Sequence, residues 1–298
     1  MRVLIAGASG FLGSHLVEEL RRQGHHVTTL TRGQPSQGRL HWDPYAGPLA
    51  PATVEDVDVV VNLAGSPTVG NPHSRRWARE LRKSRVTTTR VLAEAIAASN
   101  RKPAFLAGNA IAIYGDHGDE TVNEADDSRG ASFLTEVTRE WKAATQPAVD
   151  AGARVVVLHT VPVMDRASAP LKQLRLLFWT GLGGRLGSGQ QYMPMISLRD
   201  WVAAAVFLVE HDEVSGPVNL CCVTTPTNAQ FTEELAGLLS RPALAPVPEI
   251  VLKQAAGRLA PELLGSVRAV PDKLLRAGFR FADPDVGSVL RTGLGVPS

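Results

Sequence analysis

The chain has 298 residues, of which 44% are hydrophobic and 20% are charged, which excludes a disordered tail or a fibrous protein. Its 31 basic and 29 acidic side chains give a net charge of +2, too small an excess to indicate nucleic-acid binding. The cysteines, Cys221 and Cys222, are adjacent and cannot frame a disulfide scaffold or a thiolate zinc site, and no apolar run is long enough to span a membrane.

Short apolar runs alternate with longer helical patterns through the first half of the chain. The strand patterns lie at 3–6, 27–30, 57–63, 103–107 and 154–158, and the helical patterns lie at 13–22, 76–99 and 132–148. Strands that alternate with helices predict an α/β fold with a parallel sheet covered on both faces. The near-continuous apolar runs are typical of strands buried on both sides.

The regularity fades after residue 160. The stretch from Gly181 to Gly189 contains five glycines and is predicted to be a loop, whereas 200–209 has a helical pattern and 216–220 a strand pattern. We therefore expect a Rossmann-type doubly wound domain over 1–160, completed by about 196–222. The segments 161–195 and 223–298 would then form a smaller, mostly helical substrate-side lobe.

A glycine-rich turn lies between the first strand and the first helix. It reads Gly7-Ala8-Ser9-Gly10-Phe11-Leu12-Gly13. Spaced glycines let the backbone approach a pyrophosphate, and the following helix offers free N–H groups at its N-terminus. Because the turn follows a strand and opens a helix, it predicts a dinucleotide site, although glycines can also serve only a tightly packed turn.

The end of the second strand indicates which dinucleotide binds. NAD-binding units carry an acid there that holds the ribose 2′-hydroxyl, but this chain has Thr31-Arg32-Gly33. A guanidinium suits a 2′-phosphate, so NADP(H) is the predicted cofactor. The alternative is that Arg32 is a solvated loop residue.

Motifs along almost the whole chain resemble those of the extended and atypical short-chain dehydrogenase/reductases. They most resemble the epimerase-like subfamily that ends in a helical domain of unknown function. The matching stretches are the glycine turn at 7–13, Trp42-Asp43-Pro44, Asn62-Leu63-Ala64-Gly65, Ser84-Arg85-Val86, Ile113-Tyr114-Gly115, the loop 181–190, Gly216-Pro217-Val218-Asn219-Leu220, and the stretches 270–274 and 277–281.

The resemblance implies a sheet of about seven parallel strands that binds NADP(H). It also implies that the segment Leu63-Ala64-Gly65 passes beneath the adenosine and ribose. Glu80, Arg85 and His159 are expected near the cofactor on the same ground.

The catalytic positions depart from the superfamily pattern of Ser or Thr, Tyr, and a Lys four residues after the Tyr. In that pattern the Tyr exchanges a proton with the substrate oxygen while the Lys holds the ribose. Asn109 is the expected replacement for the Ser. Thr138 stands at the Tyr place and Lys142 at the Lys place. A threonine hydroxyl is a far weaker acid than a phenol.

Other groups could act in place of the missing tyrosine. Tyr114 follows a strand whose carboxyl end should face the ligand, so it could supply a proton or pack as a buried aromatic. Lys142 could hold ribose hydroxyls or lie solvated on an amphipathic helix. His159 could be an acid or base, although a cofactor contact is the simpler interpretation. No metal site is expected.

Three functions fit these observations. The first is an NADP(H)-dependent oxidoreductase, acting on a small or medium carbonyl-type substrate with a non-standard proton donor. The second is a non-redox enzyme on the same fold, such as an isomerase, dehydratase or cyclase, and the third is an NADP(H)-responsive binding protein. We expect a cytoplasmic monomer or homodimer whose partner is a small-molecule substrate, with no nucleic acid or membrane partner.

Overall fold

The computed structural model describes residues 1–243 and 246–296; positions 244, 245, 297 and 298 of the predicted lobe lie outside the described residues. The strands are β1 (Arg2–Ala6), β2 (His26–Thr31), β3 (Arg39–His41), β4 (Val59–Asn62), β5 (Ala104–Ala110), β6 (Thr121–Val122), β7 (Val155–Thr160), β8 (Val163–Met164), β9 (Ile196–Ser197), β10 (Gly216–Leu220) and β11 (Arg268–Ala269).

The helices vary more in length than the strands. They are α1 (Phe11–Arg22), α2 (Ala52–Glu55), α3 (Arg75–Ala98), α4 (Phe133–Ala143), α5 (Gln146–Asp150), α6 (Ala169–Trp179), α7 (Leu198–Glu210), α8 (Asn228–Leu239), α9 (Glu249–Ala256), α10 (Ala260–Leu264), α11 (Asp272–Arg276) and α12 (Val286–Leu294), with 3₁₀ turns at Ile111–Ile113 and Gly257–Leu259.

Seven parallel strands form the main sheet, in the order β10-β7-β5-β4-β1-β2-β3. Alternate side chains of β1 enter two different cores, with Val3 and Ile5 packed among residues of α1 and α7. Leu4 and Ala6 pack on the other face among residues of α3 and α5. The sheet is therefore covered on both faces, which confirms the predicted Rossmann-type α/β fold class.

Several elements differ from the sequence expectation, among them β3, α4 and α6. β3 was not assigned from the sequence, and all its residues are exposed, so it carries no apolar signal. The stretch 132–148 was expected to form one helix and forms two. α4 ends at Ala143, and α5 has Pro147 in its first turn, where proline is tolerated. α6 lies in the stretch that looked irregular, and the side chain of Ser168 caps its N-terminus.

A separate apolar cluster joins α6 to the helices near the end of the chain. Its buried side chains come mainly from α6, which precedes β10 in the chain, and from α8 and α12, which follow it. They include Leu171, Phe178, Phe231, Leu235 and Leu290. The stretch 267–281 behaves differently, because Ala269, Leu274 and Phe279 join the core of the main sheet. Among the described residues, no helix is long and apolar enough to cross a membrane.

Candidate functional site

The glycine turn is tightly enclosed by backbone. Gly7 has φ +83°, and a Cβ there would lie 2.5 Å from the carbonyl carbon of Leu63. A Cβ at Gly13 would lie 2.2 Å from the carbonyl oxygen of Gly7. These two glycines are therefore required for the turn to fit between the loop after β4 and the first turn of α1.

The N-terminus of α1 is open on the outer side of this turn. Its N-cap residue, Gly10, supplies no side-chain cap, and both Ser9 and Gly10 are exposed. The side chains of Phe11 and Leu12 pack against the core, so the backbone N–H groups are what this helix end presents. Uncapped N–H groups at the positive end of a helix form a phosphate-binding geometry.

The residues after β2 follow a strand that pairs with β1, which leads into the glycine turn. The N–H of Gly33 donates to Oγ1 of Thr31 at 3.1 Å, and His41 Nδ1 lies 3.0 Å from the Gly33 carbonyl oxygen. These contacts fix the turn that carries Arg32, whose side chain is exposed. Within the described part of the chain, Arg32 forms no salt bridge.

Polar side chains of β4 and α3 hold the loop after β4 in place. Asn62 accepts the N–H of Ala64 at 3.0 Å, and the Ser84 hydroxyl accepts the N–H of Ser66 at 2.9 Å. Arg85 donates to the carbonyl oxygen of Ser66 at 3.1 Å. Leu63 of this loop contacts Gly7. The bonds from α3 therefore help to hold the segment Leu63-Ala64-Gly65 against the glycine turn.

Arg85 is a cation without a carboxylate partner among residues 1–243 and 246–296. Its guanidinium lies 5.2 Å from the ring centroid of Trp141, and a Cβ on Gly65 would lie 3.5 Å from its Nη1. Burial lowers the pKa of Arg85 to about 10. Its Nη2 also donates to the Thr68 hydroxyl at 3.0 Å, so the guanidinium is held against the 63–68 loop.

Glu80, which the family resemblance placed near the cofactor, is exposed on α3. Its Oε1 accepts from Nε of Arg76 at 2.8 Å. Glu80 is therefore paired within its own helix.

Asn109 and Thr138 are the predicted replacements for the Ser and the Tyr, and their polar groups bond to other groups of the protein. The Thr138 hydroxyl lies 2.9 Å from the carbonyl oxygens of both Leu134 and Thr135. Asn109 donates to the Thr138 carbonyl at 3.1 Å and accepts the N–H of Ala110 at 2.7 Å. Both side chains are buried. Asn109 joins β5 to α4, whereas the Thr138 hydroxyl is bonded within its own helix.

Lys142 and its neighbour Trp141 face different parts of the molecule. Trp141 is buried and donates from Nε1 to the Thr89 hydroxyl at 2.8 Å. Lys142 is exposed and lines a cleft of about 500 Å³ with Val155, Gly216 and Pro217. Val155 and Gly216 are the first residues of β7 and β10, whereas Ile113 lies beyond the carboxyl end of β5, so this cleft runs along the β10 side of the sheet.

Tyr114 and His159 meet in a buried hydrogen-bonded group. The Tyr114 hydroxyl donates to Oδ1 of Asn219 at 2.9 Å, and Nδ1 of His159 lies 3.2 Å from the same hydroxyl. Burial raises the pKa of Tyr114 above its ordinary range and lowers that of His159 to about 4. A neutral imidazole that donates from Nδ1 satisfies this geometry. The arrangement favours the packing interpretation of Tyr114.

Sequence reasoning missed two residues of this region. Asn219 contacts Tyr114 because it pairs with His159 across β10 and β7. The signal that could have indicated it is its polar side chain inside the otherwise apolar 216–220 strand. Glu262 of α10 accepts from the Ser132 hydroxyl at 2.7 Å, next to the start of α4. Among the described residues, no group of acidic, histidine or cysteine side chains is arranged to hold a metal ion.

The sequence is similar to known proteins along almost its whole length. Residues 3–133 match the NAD dependent epimerase/dehydratase family, and residues 247–292 match a domain of unknown function. The epimerase family protein MT2273 of Mycobacterium tuberculosis is 41% identical over 294 residues, which is 97% of this chain and 96% of the relative.

Two solved structures have similar folds. The crystal structure of the human epimerase family protein SDR39U1 with NADPH has a TM-score of 0.87 and 30% identity, covering 98% of this chain and 99% of that one. The nucleoside-diphosphate sugar epimerase of Corynebacterium glutamicum has a TM-score of 0.81 and 32% identity. The match covers 99% of this chain and 58% of the Corynebacterium chain.

Proposed function

The chain belongs to the NAD-dependent epimerase/dehydratase family, and we propose that it is an enzyme that binds NADP(H) and acts on a small or medium carbonyl-type substrate. One observation carries the proposal. The uncapped N-terminus of α1 meets a glycine turn that cannot accommodate a Cβ at Gly7 or Gly13, while Arg32 lies free at the end of β2. The human relative solved with NADPH supports the choice of cofactor.

Each part of the site has a separate task in this proposal. The first N–H groups of α1 hold the diphosphate, and Arg32 pairs with the 2′-phosphate. The loop 63–65, held by Ser84 and Arg85, forms the floor beneath the adenosine and ribose. When bound, the nicotinamide would supply or accept hydride.

Proton transfer is the step that separates the candidate reactions. Net reduction of a carbonyl needs a proton at the substrate oxygen, and the hydroxyls of Thr138 and Tyr114 are both committed to other acceptors. This observation favours a second candidate, an isomerase, dehydratase or cyclase on the same fold that carries out no net redox reaction. Product formation without a lasting change in nicotinamide absorbance would identify the second candidate.

We also propose that the segments 161–195 and 223–298 shape the substrate side. The cluster that joins α6 to α8 and α12 supports this division, since it gives these segments an apolar core apart from the sheet.

Calorimetric titration of the cofactor-stripped protein with NADPH and NADH tests the cofactor role. We expect NADPH to bind at least about tenfold more tightly, a difference of about 1.4 kcal/mol. Arg32→Gln should remove most of that difference, whereas Arg90→Gln, an exposed change on α3, should leave it intact. Folded wild-type protein that binds neither nucleotide, or binds both equally, would refute the proposal.

A further inference from the structure

The loop after β3 presents an exposed aromatic side chain beside α3. Tyr45 is 47% exposed and sits in a turn made by Asp43, whose Oδ1 accepts the N–H of Tyr45 at 3.0 Å and whose carbonyl accepts the N–H of Ala46 at 3.1 Å. The ammonium of Lys83, on α3, lies 4.8 Å from the centroid of the Tyr45 ring. The ring therefore holds a lysine side chain in a defined place on the surface.

Arg32 belongs to the same part of the surface, because the turn that carries it contacts β3 through His41. It follows Thr31, which pairs with His41 at the end of β3. Its charge lowers the pKa of the Tyr45 phenol, against the larger effect of burial, which raises it. Arg32 and Lys83 thus both lie near one side chain, although they come from distant parts of the sequence.

Positive charge is in excess around Tyr45. Two nearby carboxylates, Asp43 and Glu80, act on the phenol, but Glu80 is bonded to Arg76 at 2.8 Å. Within the described residues, neither Arg32 nor Lys83 is in a salt bridge. A cation that rests on an aromatic face keeps its N–H donors free for another acceptor.

The position of Lys83 on α3 connects this cluster to the glycine turn. The next two residues, Ser84 and Arg85, bond to Ser66 in the loop after β4. The same loop contacts Gly7 through Leu63. Lys83 is adjacent to these groups in the sequence, and its contact with Tyr45 places it beside the loop after β3 and the turn that carries Arg32, at the adenosine end of the proposed cofactor site.

We propose that Lys83 is a second cation for the 2′-phosphate of NADP(H), acting with Arg32, and that the Tyr45 ring holds Lys83 and packs against the adenine base. This inference rests on the proposed function and adds two residues to its specificity site. The ligand group it recognises is an adenosine 2′-phosphate. Its contribution should therefore be absent from nucleotides that carry a 2′-hydroxyl.

Calorimetric titrations with two matched pairs of nucleotides test this assignment. The pairs are NADPH with NADH, and adenosine 2′,5′-bisphosphate with adenosine 5′-monophosphate. Lys83→Met should weaken binding of the 2′-phosphorylated member of each pair by about tenfold, the scale of one lost charge-assisted contact. The affinity of the other member should stay unchanged. Arg90→Met, on the same helix, should affect neither pair.

Changes at Tyr45 separate the ring from its hydroxyl. Tyr45→Phe keeps the ring and should bind all four nucleotides as the wild type does. Tyr45→Leu should weaken all four, because it removes the stacking surface, and should weaken the 2′-phosphorylated pair most. Unfolding curves should confirm that each variant is folded, which is expected because these side chains are exposed.

The results distinguish this inference from the cofactor proposal. If Arg32→Met removes the preference for NADPH while Lys83→Met does not, the role of Lys83 is overturned and the cofactor proposal stands. If Lys83→Met weakens NADH and NADPH equally, Lys83 does not recognise the 2′-phosphate. If the wild type shows no preference for NADPH, both proposals fail. Unchanged binding by Tyr45→Leu would overturn the role of the ring.

Discussion

Gly7 and Gly24 share nearly the same backbone angle, φ +83° and φ +85°, but their surroundings differ. A Cβ at Gly7 would lie within 2.6 Å of three backbone atoms of Leu63 and Ala64, whereas nothing lies within 4 Å of a Cβ at Gly24. The pair separates the cost of a left-handed backbone from the cost of steric overlap. At Gly7 the overlap falls on the loop that forms the floor of the proposed site.

Gly24→Ala should cost only the left-handed conformation, about 1–2 kcal/mol. Gly7→Ala should cost a further 1–3 kcal/mol, roughly, because backbone must move to relieve the overlap. Urea unfolding at equilibrium measures both losses of stability. Gly7→Ala should also weaken NADPH binding, while Gly24→Ala should not. Equal losses of stability would show that the loop after β4 moves aside at no cost.

At the scale of elements, Thr89 joins a strand and two helices. Its hydroxyl, on α3, accepts from Nδ2 of Asn62 at 2.9 Å at the end of β4, and from Nε1 of Trp141 on α4 at 2.8 Å. All three side chains are buried. Since Trp141 also supports the Arg85 guanidinium, this group links the packing of α4 to the loop beneath the proposed ribose site.

Thr89→Val keeps the shape of the side chain and removes the shared acceptor. We expect a loss of about 1–3 kcal/mol in the free energy of unfolding, because two buried donors lose a partner. Thr89→Ser should retain most of the stability, since it keeps the hydroxyl. Thr87→Val makes the same change at a half-buried position of α3, and a comparable loss there would contradict the role given to Thr89.

The elements around the glycine turn could be predicted because apolar periodicity and glycine spacing are local signals. β1, α1, β4 and β10 lie within a few residues of their expected places. α6 was missed because the stretch around it is rich in glycine and proline, although Ser168 and Pro170 mark its start. Its burial depends on partners about 60 residues or more away, such as Phe231 and Leu290.

The catalytic predictions depended on contacts that no local pattern contains. Tyr114 was a candidate proton donor by position alone, and its hydroxyl bonds to Asn219, which is 105 residues away. Lys142 follows a buried tryptophan on an amphipathic helix, and spacing alone did not indicate that it would line the cleft beside β10. The roles of Tyr114, Asn109, Thr138 and Lys142 in turnover stay predictions.

At the scale of the whole molecule, the 3₁₀ turn Gly257–Leu259 and α10 each make a polar contact with the first half of the chain. Arg258 donates to the carbonyl oxygen of Pro72 at 3.0 Å, and the Ser132 hydroxyl donates to Oε1 of Glu262 at 2.7 Å. The other carboxyl oxygen of Glu262 is buried without a partner. Burial raises the pKa of Glu262, and the bond from Ser132 opposes that effect.

This carboxyl group should make the attachment of α10 to the first half of the chain depend on pH. Because the pKa of Glu262 is higher in the folded than in the unfolded chain, its protonation stabilises the fold below the unfolded pKa. That stabilisation is lost as the pH rises through the folded pKa. Glu262→Gln keeps an acceptor for Ser132 and cannot titrate, so it should become more stable relative to the wild type as the pH rises from about 4 to about 8.

Thermal unfolding across this range measures the relative stability at each pH. Glu249→Gln is the matched control, because Glu249 is an exposed residue of α9 and faces Lys253 at 3.4 Å. The relative stability should change with pH for Glu262→Gln and differ from the change seen for the control. If the stability of both variants changes with pH as that of the wild type does, titration of Glu262 does not affect the contact between α10 and the first half of the chain. That contact would then be maintained by packing and by the bond from Arg258.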